Sequence, residues 1–292
     1  MTDKVTDKVL VTPAELHAMM GSDVVVIDTR SPDAYAAGHI PGAVNVHEIF
    51  TYLATSTPDG MAELRGKFAA AFGAAGLSGA ETAVCYEESM NGGFGQSCRG
   101  YFLLSWLGYQ KAKVLHGGMH AWKAAGMEVT TEPTVAQGKA FPLSNTGSDM
   151  MIDRDAMLAA VGDSGIVKLD VRDVDEWVGT SSSPYGPNFC PRKGRIPGAK
   201  WLEWYRMMKP TAAEPMFKSP DEIRAEAHTA GIGADTPVYL YCFKGARASN
   251  TLVALKEAGV RDVRMYFGSW NEWSRDESLP IESGLPFAQA AE

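Results

Sequence analysis

The same succession of sequence signals occurs twice along this chain of 292 residues. An Asp-x-Arg triplet followed by Ile-Pro-Gly-Ala spans 28–43, and the same pair of motifs spans 170–199. Further on, "GGMHAW" at 117–122 corresponds to "GSWNEW" at 268–273. The second copy differs mainly by an insertion of about 14 residues between its first two motifs. A repeat of this length indicates two copies of one domain.

Each copy alternates short runs of strand-forming residues with segments of helical periodicity. Predicted strands lie near 24–27, 83–86, 113–115, 166–169, 237–241 and 263–266, and predicted helices near 62–75, 97–107, 153–161, 220–230 and 247–258. Strands separated by helices imply a parallel sheet that is covered on both faces. We therefore predict an α/β fold of two homologous domains, each a parallel sheet flanked by helices on both faces.

The boundary between the copies is expected in a segment without sustained periodicity. Residues 129–148 are rich in Thr, Pro, Gly and Ser, which is typical of a linker. The predicted organisation is an amino-terminal domain over 1–130, a linker over 131–148 and a carboxyl-terminal domain over 149–292.

Charge and composition exclude several classes of partner. The net charge is -8 and no block of Lys and Arg occurs, so neither a nucleic acid nor an anionic membrane surface is an expected partner. The amino terminus has no continuous apolar leader, and no stretch approaches the length of a membrane span. The four cysteines form no Cys-x-x-Cys pair, which argues against a zinc site and against a disulfide framework. A cytoplasmic protein without a metal is expected.

One cysteine stands where a parallel α/β fold places its ligands. Cys242 follows the predicted strand at 237–241 and precedes a predicted helix, so it lies at the carboxyl edge of the sheet. The N–H groups at the start of that helix, together with Lys244 and Arg247, favour the thiolate, which is the nucleophilic form. The alternative is an inert buried thiol. That alternative leaves Gly245 and the two cations unexplained, so a catalytic nucleophile is the preferred interpretation.

These motifs resemble a known family, the tandem rhodaneses or thiosulfate/3-mercaptopyruvate sulfurtransferases. The resemblance covers nearly the whole chain and rests on the two Asp-x-Arg and Ile-Pro-Gly-Ala segments, on the loop at 242–247 and on the closing "GSWNEW". In that family only the second domain keeps the catalytic cysteine. Here Glu87 occupies the position equivalent to Cys242, so the resemblance implies an inactive first domain.

The resemblance implies a sulfurtransferase that needs neither a metal nor an organic cofactor. Sulfur would pass from thiosulfate to cyanide or a thiol acceptor through a persulfide on Cys242. The residues implied in binding the substrate are those of the loop, namely Phe243, Lys244, Gly245, Ala246, Arg247 and Ala248. Glu176 stands near a position where some members carry an arginine, so Arg192 and Arg195 in the insertion are secondary candidates for binding the anion. Cys190, also in the insertion, is a candidate sulfur relay.

Several alternatives remain at this point. A 3-mercaptopyruvate sulfurtransferase or a persulfide carrier to a protein partner would use the same chemistry. Mercaptopyruvate enzymes usually have an uncharged loop, so Lys244 favours thiosulfate. A non-catalytic binding module would not need Cys242. A phosphatase or arsenate reductase of the related class would place five residues between its cysteine and arginine, whereas four separate Cys242 from Arg247.

Overall fold

The computed structural model describes residues 8–210 and 216–286, which contain two parallel sheets of five strands each. The first sheet has the order β1-β5-β4-β2-β3 and the second has the order β6-β10-β9-β7-β8. The strands are β1 (Leu10–Val11), β2 (Val24–Asp28), β3 (Val44–Asn45), β4 (Thr82–Tyr86), β5 (Ala112–Leu115), β6 (Met151–Ile152), β7 (Val167–Asp170), β8 (Lys200–Trp201), β9 (Val238–Tyr241) and β10 (Val263–Tyr266). The two sheets have the same topology, which confirms the predicted α/β repeat.

Eleven α-helices within these residues connect and cover the strands. They are α1 (Pro13–Met19), α2 (Pro32–Ala37), α3 (Glu48–Thr51), α4 (Pro58–Ala74), α5 (Gln96–Trp106), α6 (Gly118–Ala124), α7 (Arg154–Ala160), α8 (Val174–Trp177), α9 (Pro220–His228), α10 (Ala246–Glu257) and α11 (Ser269–Trp273). Helix α4 begins four residues before its predicted start, because the Thr57 side chain caps the amide of Gly60 and Pro58 occupies the first turn.

Alternate residues of the central strands enter different cores. In β4, Cys85 packs in one apolar cluster with Phe68 of α4, whereas Tyr86 packs in another with Leu16 of α1 and Trp122 of α6. Successive side chains of a strand point to opposite faces, so each cluster covers one face of the sheet. The first sheet is therefore covered by helices on both faces.

The larger cluster continues from the first domain into the second through α5 and α10. The rings of Phe102 and Phe267 stack across this junction with their centroids 5.6 Å apart. Gly95, just before α5, adopts a φ of +80°, and a Cβ at this position would lie 2.4 Å from the carbonyl oxygen of Ala246. The amino ends of α5 and α10 therefore meet at the domain interface.

A second contact between the domains lies at α11. The carboxylate of Glu272 accepts hydrogen bonds from the amide and the hydroxyl of Ser56, at 2.7 and 2.8 Å. It also accepts a hydrogen bond of 2.8 Å from the hydroxyl of Tyr266. Because Glu272 belongs to the helix that follows β10, this contact fixes α11 against the first domain.

The segment at 131–147 contains neither helix nor strand and runs along the first domain. The amide of Lys139 donates to the carbonyl of Gly73 at 2.8 Å, and the ring of Phe141 stacks on Tyr109 with 5.5 Å between centroids. Within the described residues, no helix has the length and apolarity needed to cross a membrane. The expectation of no leader concerns a terminus whose residues 1–7 lie outside the described part of the chain.

Replacing Gly95 with Ala should destabilise the protein by about 2–4 kcal/mol, because an alanine there is strained at positive φ and collides with the backbone of α10. The control is Gly66→Ala on the exposed face of α4, where a Cβ meets nothing within 4 Å. That control should stabilise the helix by about 0.5–1 kcal/mol. Urea denaturation measures both values, and a Gly95→Ala protein as stable as the wild type would contradict this view of the interface.

Candidate active site

Cys242 directly follows β9, which lies between β10 and β7 in the second sheet. The chain turns at Gly245, whose φ is +88° and where a Cβ would lie 3.0 Å from the ring of Phe267. Glycine meets both demands. The turn brings the amide of Gly245 within 3.1 Å of the Cys242 sulfur, at the amino end of α10.

The start of α11 holds the loop that carries Cys242 through hydrogen bonds. The amide of Trp270 donates to the carbonyl of Cys242, and the amide of Asn271 donates to the carbonyl of Phe243, both at 3.0 Å. The Ser269 hydroxyl accepts the amide of Cys242 at 3.2 Å. Ser269 itself adopts a φ of +54°, an uncommon conformation for serine. The repeated "GSWNEW" motif thus orients the loop.

The other N–H groups of the loop find no acceptor among the described residues. They belong to five buried residues, namely Phe243, Lys244, Ala246, Arg247 and Ala248. Buried amides normally have an acceptor, so a set of unpaired donors beside a thiol is a feature in need of a ligand. The start of a helix adds a favourable potential for negative charge. The arrangement suits an anion next to the sulfur.

In the first domain the equivalent donors are already satisfied. The Glu87 carboxylate, which follows β4, accepts the amides of Gly95 and Gln96 at 3.1 and 3.0 Å and the hydroxyl of Ser97 at 2.7 Å. Burial raises the pKa of Glu87 to about 7. The longer side chain of glutamate therefore fills in one domain the space that the cysteine leaves accessible in the other.

Arg247 lines the cavity in front of Cys242 that is described below, but its charge is already paired. Its guanidinium holds both oxygens of the Glu176 carboxylate, at 2.5 and 3.1 Å, and reaches Asp173 at 2.9 Å. Burial opposes the charge, yet the Glu176 carboxylate raises the pKa of Arg247. The expected binding of a sulfonate by Arg247 therefore competes with a bidentate ion pair.

The carboxylate cluster beside Arg247 has a spacing that would suit a metal ion. Its oxygens, from Asp173, Asp175 and Glu176, lie within 4.8 Å of one another. Here the guanidinium of Arg247 supplies the positive charge.

Lys244 is the cation of the loop that has no carboxylate partner in the described part of the chain. Its ammonium lies 3.8 Å from the ring centroid of Phe50 and 5.2 Å from that of Tyr185. Burial, together with the neighbouring Arg99, lowers the pKa of Lys244 to about 8. Lys244 therefore remains mostly charged at neutral pH and lines the cavity.

The cavity in front of Cys242 has a volume of about 780 Å³ and lies between the two domains. The first domain contributes Phe50, Phe94 and Gln96 to its walls. The insertion contributes the wall at 180–187, where the ring of Tyr185 packs edge-on against Phe243 at 5.3 Å between centroids. The insertion thus shapes the entrance to the thiol, a role that its sequence did not reveal.

The structure does not bring Arg192 and Arg195 into this cavity. Arg192 donates to the carbonyls of Ser274 and Leu279, at 2.8 and 2.9 Å. Arg195 pairs with Glu282. Both guanidinium groups bind the carboxyl-terminal segment of the domain. Neither is therefore available to an anion near the sulfur.

Cys190, the candidate relay, also lies away from the cavity walls. Its side chain is buried in an apolar cluster with Tyr241 and Trp270. Burial raises the pKa of its thiol. These surroundings are those of a structural cysteine. The thiol that faces the cavity is Cys242.

A family model for the rhodanese-like domain matches the chain twice, over residues 12–125 and 153–276. The chain belongs to the rhodanese family. A "Thiosulfate sulfurtransferase" of Azotobacter vinelandii is 28% identical over 97% of this chain and 100% of its own length. A protein of the same name from Pseudomonas aeruginosa is 27% identical over 94% of this chain and 96% of its own. The "Sulfur carrier protein TtuD" of Thermus thermophilus is 29% identical over 86% and 87%. These relatives support a sulfurtransferase.

Solved structures agree on the fold of this rhodanese. Wild-type EanB superposes with a TM-score of 0.79 at 24% identity, covering 96% of this chain and 70% of its own. The anaerobic ergothioneine biosynthesis enzyme of Chlorobium limicola gives a TM-score of 0.80 at 24% identity, over 96% and 71%. At this identity the likeness establishes the tandem architecture.

Replacing Glu87 with Gln should change how stability depends on pH. The pKa of Glu87 is raised in the folded protein to about 7 from an ordinary value of 4.5, so the wild type loses stability as the pH rises between these values. The loss is on the order of 3 kcal/mol. Urea denaturation at several pH values should show this loss in the wild type and in an exposed control, Glu277→Gln, but not in Glu87→Gln. If the stability of Glu87→Gln fell with rising pH as steeply as that of the wild type, the raised pKa of Glu87 would be contradicted.

Proposed function

We propose that this protein is a thiosulfate sulfurtransferase that carries sulfur as a persulfide on Cys242. The observation that carries the proposal is the set of unpaired loop amides around that thiol, beside a cavity that the thiol faces. An anion formed at the sulfur would be held by these donors before and after the transfer. Glu87 excludes the same chemistry from the first domain.

In the first step the Cys242 thiolate attacks the outer sulfur of thiosulfate. A sulfur–sulfur bond forms to Cys242, the bond within thiosulfate breaks, and its electron pair leaves with sulfite. The persulfide carries the one negative charge that the thiolate had. Covalent catalysis of this kind divides one sulfur transfer into two easier steps. In this proposal the amides of Ala246, Arg247 and Ala248, which have no acceptor among the described residues, hold the outer sulfur of the persulfide.

Lys244 is assigned the sulfonate of the donor. It is the loop cation whose charge is not committed to a carboxylate within the described residues, whereas Arg247 is held by Glu176. The role of Arg247 is to fix the start of α10 and so to orient the amides. This charge distribution supports an anionic donor such as thiosulfate. The alternative donor to be tested, 3-mercaptopyruvate, is also an anion through its carboxylate.

In the second step an acceptor anion takes the outer sulfur and returns Cys242 to the thiolate. Cyanide would give thiocyanate, and a thiolate would give a new persulfide. A cavity of about 780 Å³ is far larger than cyanide requires, which supports an organic thiol as the natural acceptor. The relative named a sulfur carrier supports a second candidate, transfer from Cys242 to a protein partner.

Two other classes fit the site less well. A phosphatase or arsenate reductase would need its loop arginine on the substrate oxyanion, and here the Arg247 fork is on Glu176. A non-catalytic binding module would leave the thiol and the unpaired amides without a purpose.

We also propose the domain limits 1–130 and 149–292, joined by a linker at 131–148. The two family matches fall within these limits. All four cysteines are free, and the proposed reaction depends on the free thiol of Cys242. Free thiols support a reducing compartment such as the cytoplasm.

Incubation of the protein with thiosulfate, followed by the mass of the intact protein, should show the gain of one sulfur atom. The gain should be lost in Cys242→Ser and retained in the matched variant Cys190→Ser. A parallel incubation with 3-mercaptopyruvate compares the donors, and addition of cyanide or a thiol should remove the sulfur. A gain that survives Cys242→Ser, or no gain with either donor, would contradict the proposal.

The KM for thiosulfate should rise as the pH passes about 8, because the pKa of Lys244 is lowered to about 8 and the neutral amine no longer attracts the sulfonate. Lys244→Met should raise KM at pH 7 by about tenfold, the equivalent of about 1.4 kcal/mol. Lys244→Arg should keep a low KM above pH 8. Steady-state kinetics across this range measure the effect, and a KM in Lys244→Met equal to that of the wild type would exclude this role.

A further inference from the structure

Arg99 differs from the other buried arginines of the described chain. Four of the five buried guanidinium groups pair with a carboxylate: those of Arg30, Arg172, Arg195 and Arg247. Arg99, fully buried in the first turn of α5, has no such partner among the described residues. A buried cation without a counter-ion is unfavourable, so its retention calls for an explanation.

The hydrogen bonds of Arg99 fix its position but leave its charge unbalanced. The two terminal nitrogens donate to the carbonyls of Phe50 and Tyr52, at 2.9 and 2.8 Å. The remaining nitrogen, Nε, is buried without an acceptor in the described residues. Carbonyl groups satisfy the donors without supplying a negative charge. The charge survives nonetheless, since burial lowers the pKa of Arg99 only to about 10.

A chain of contacts places this charge behind the Cys242 loop. The guanidinium carbon lies 4.6 Å from the ring centroid of Phe267. The same ring packs against Gly245, where a Cβ would be 3.0 Å away, and the amide of Gly245 is 3.1 Å from the Cys242 sulfur. The ring of Phe267 therefore contacts both Arg99 and the loop, and because it is buried it excludes water, so the charge is poorly screened.

The ionisable groups that interact with Arg99 include Cys242, Tyr185 and Lys244, the last of which is itself a cation. Burial raises the pKa of Tyr185, so its phenol is neutral under ordinary conditions. Cys242 is the group left to supply a negative charge. The first domain, whose own loop is blocked by Glu87, thus presents a cation to the active thiol of the second.

We propose that Arg99 is a positioning residue that acts on the Cys242 thiolate through its charge and stabilises that anion across the domain interface. It does so from behind the loop and without touching the substrate. Stabilisation of the persulfide anion by the same charge rests on the proposed function, whereas stabilisation of the thiolate does not.

The test is the rate at which iodoacetamide alkylates Cys242 as a function of pH, located by peptide mapping. The reagent reacts with the thiolate and needs no sulfur donor, so the result is independent of whether thiosulfate is a substrate. In Arg99→Gln and Arg99→Met the profile should move to higher pH by about one unit, with an approximately tenfold slower reaction below the midpoint. Arg99→Lys, which keeps the charge, should retain a profile close to the wild type.

The matched control is Arg65→Gln. Arg65 also lies in the first domain, donates to a carbonyl, that of Ser144, and stacks on an aromatic ring, that of Trp106, but it is not part of the interface behind the loop. Its loss should leave the profile in place. A folded neutral variant at position 99 with the wild-type profile, or an equal shift in Arg65→Gln, would overturn the proposal. If the neutral variants do not fold, Arg99→Lys decides alone: a wild-type profile supports the proposal, and a profile moved by one unit overturns it.

Discussion

The need to satisfy the backbone N–H groups at the amino end of a buried helix is the constraint on which this structure depends. Each domain ends a central strand at the start of a helix, α5 in one and α10 in the other. In each, a glycine with positive φ directs backbone N–H groups towards the residue after the strand. The residue in that position determines the outcome. Glu87 satisfies the donors with its own carboxyl group, whereas the amides of the Cys242 loop have no acceptor among the described residues.

The two helix ends also meet each other, which makes the site a property of both domains. Gly95 packs against the carbonyl of Ala246, and the walls of the cavity come from both sides of the junction. The charges are distributed accordingly. Arg247 is paired with Glu176 inside the second domain. Among the described residues, the cations near the thiol that lack a carboxylate partner are Lys244 from the loop and Arg99 from the first domain.

Much of this could be predicted from the sequence, because the repeat compares the protein with itself. The two sheets, the Cys242 loop and the substitution of Glu87 all follow from aligning the halves. The edge strands β1, β3, β6 and β8 were missed, since two residues are too few to give an alternating pattern.

The charge pairing escaped prediction for a different reason. Glu176 is 71 residues from Arg247, and its carboxylate looked like the loss of an anion ligand when it is the partner of the loop arginine. Arg99 lies in the first domain, where local sequence offers no sign that its charge reaches the other domain. Such contacts are created by tertiary packing, within the second domain for Glu176 and between the domains for Arg99.

A high-resolution crystal structure of the protein after brief exposure to thiosulfate would show directly which atom receives the sulfur and which amides hold it. We predict a second sulfur bonded to Cys242 Sγ, within hydrogen-bond distance of the amides of Ala246, Arg247 or Ala248. A sulfur added to another cysteine, or one on Cys242 that points away from these amides, would contradict this prediction.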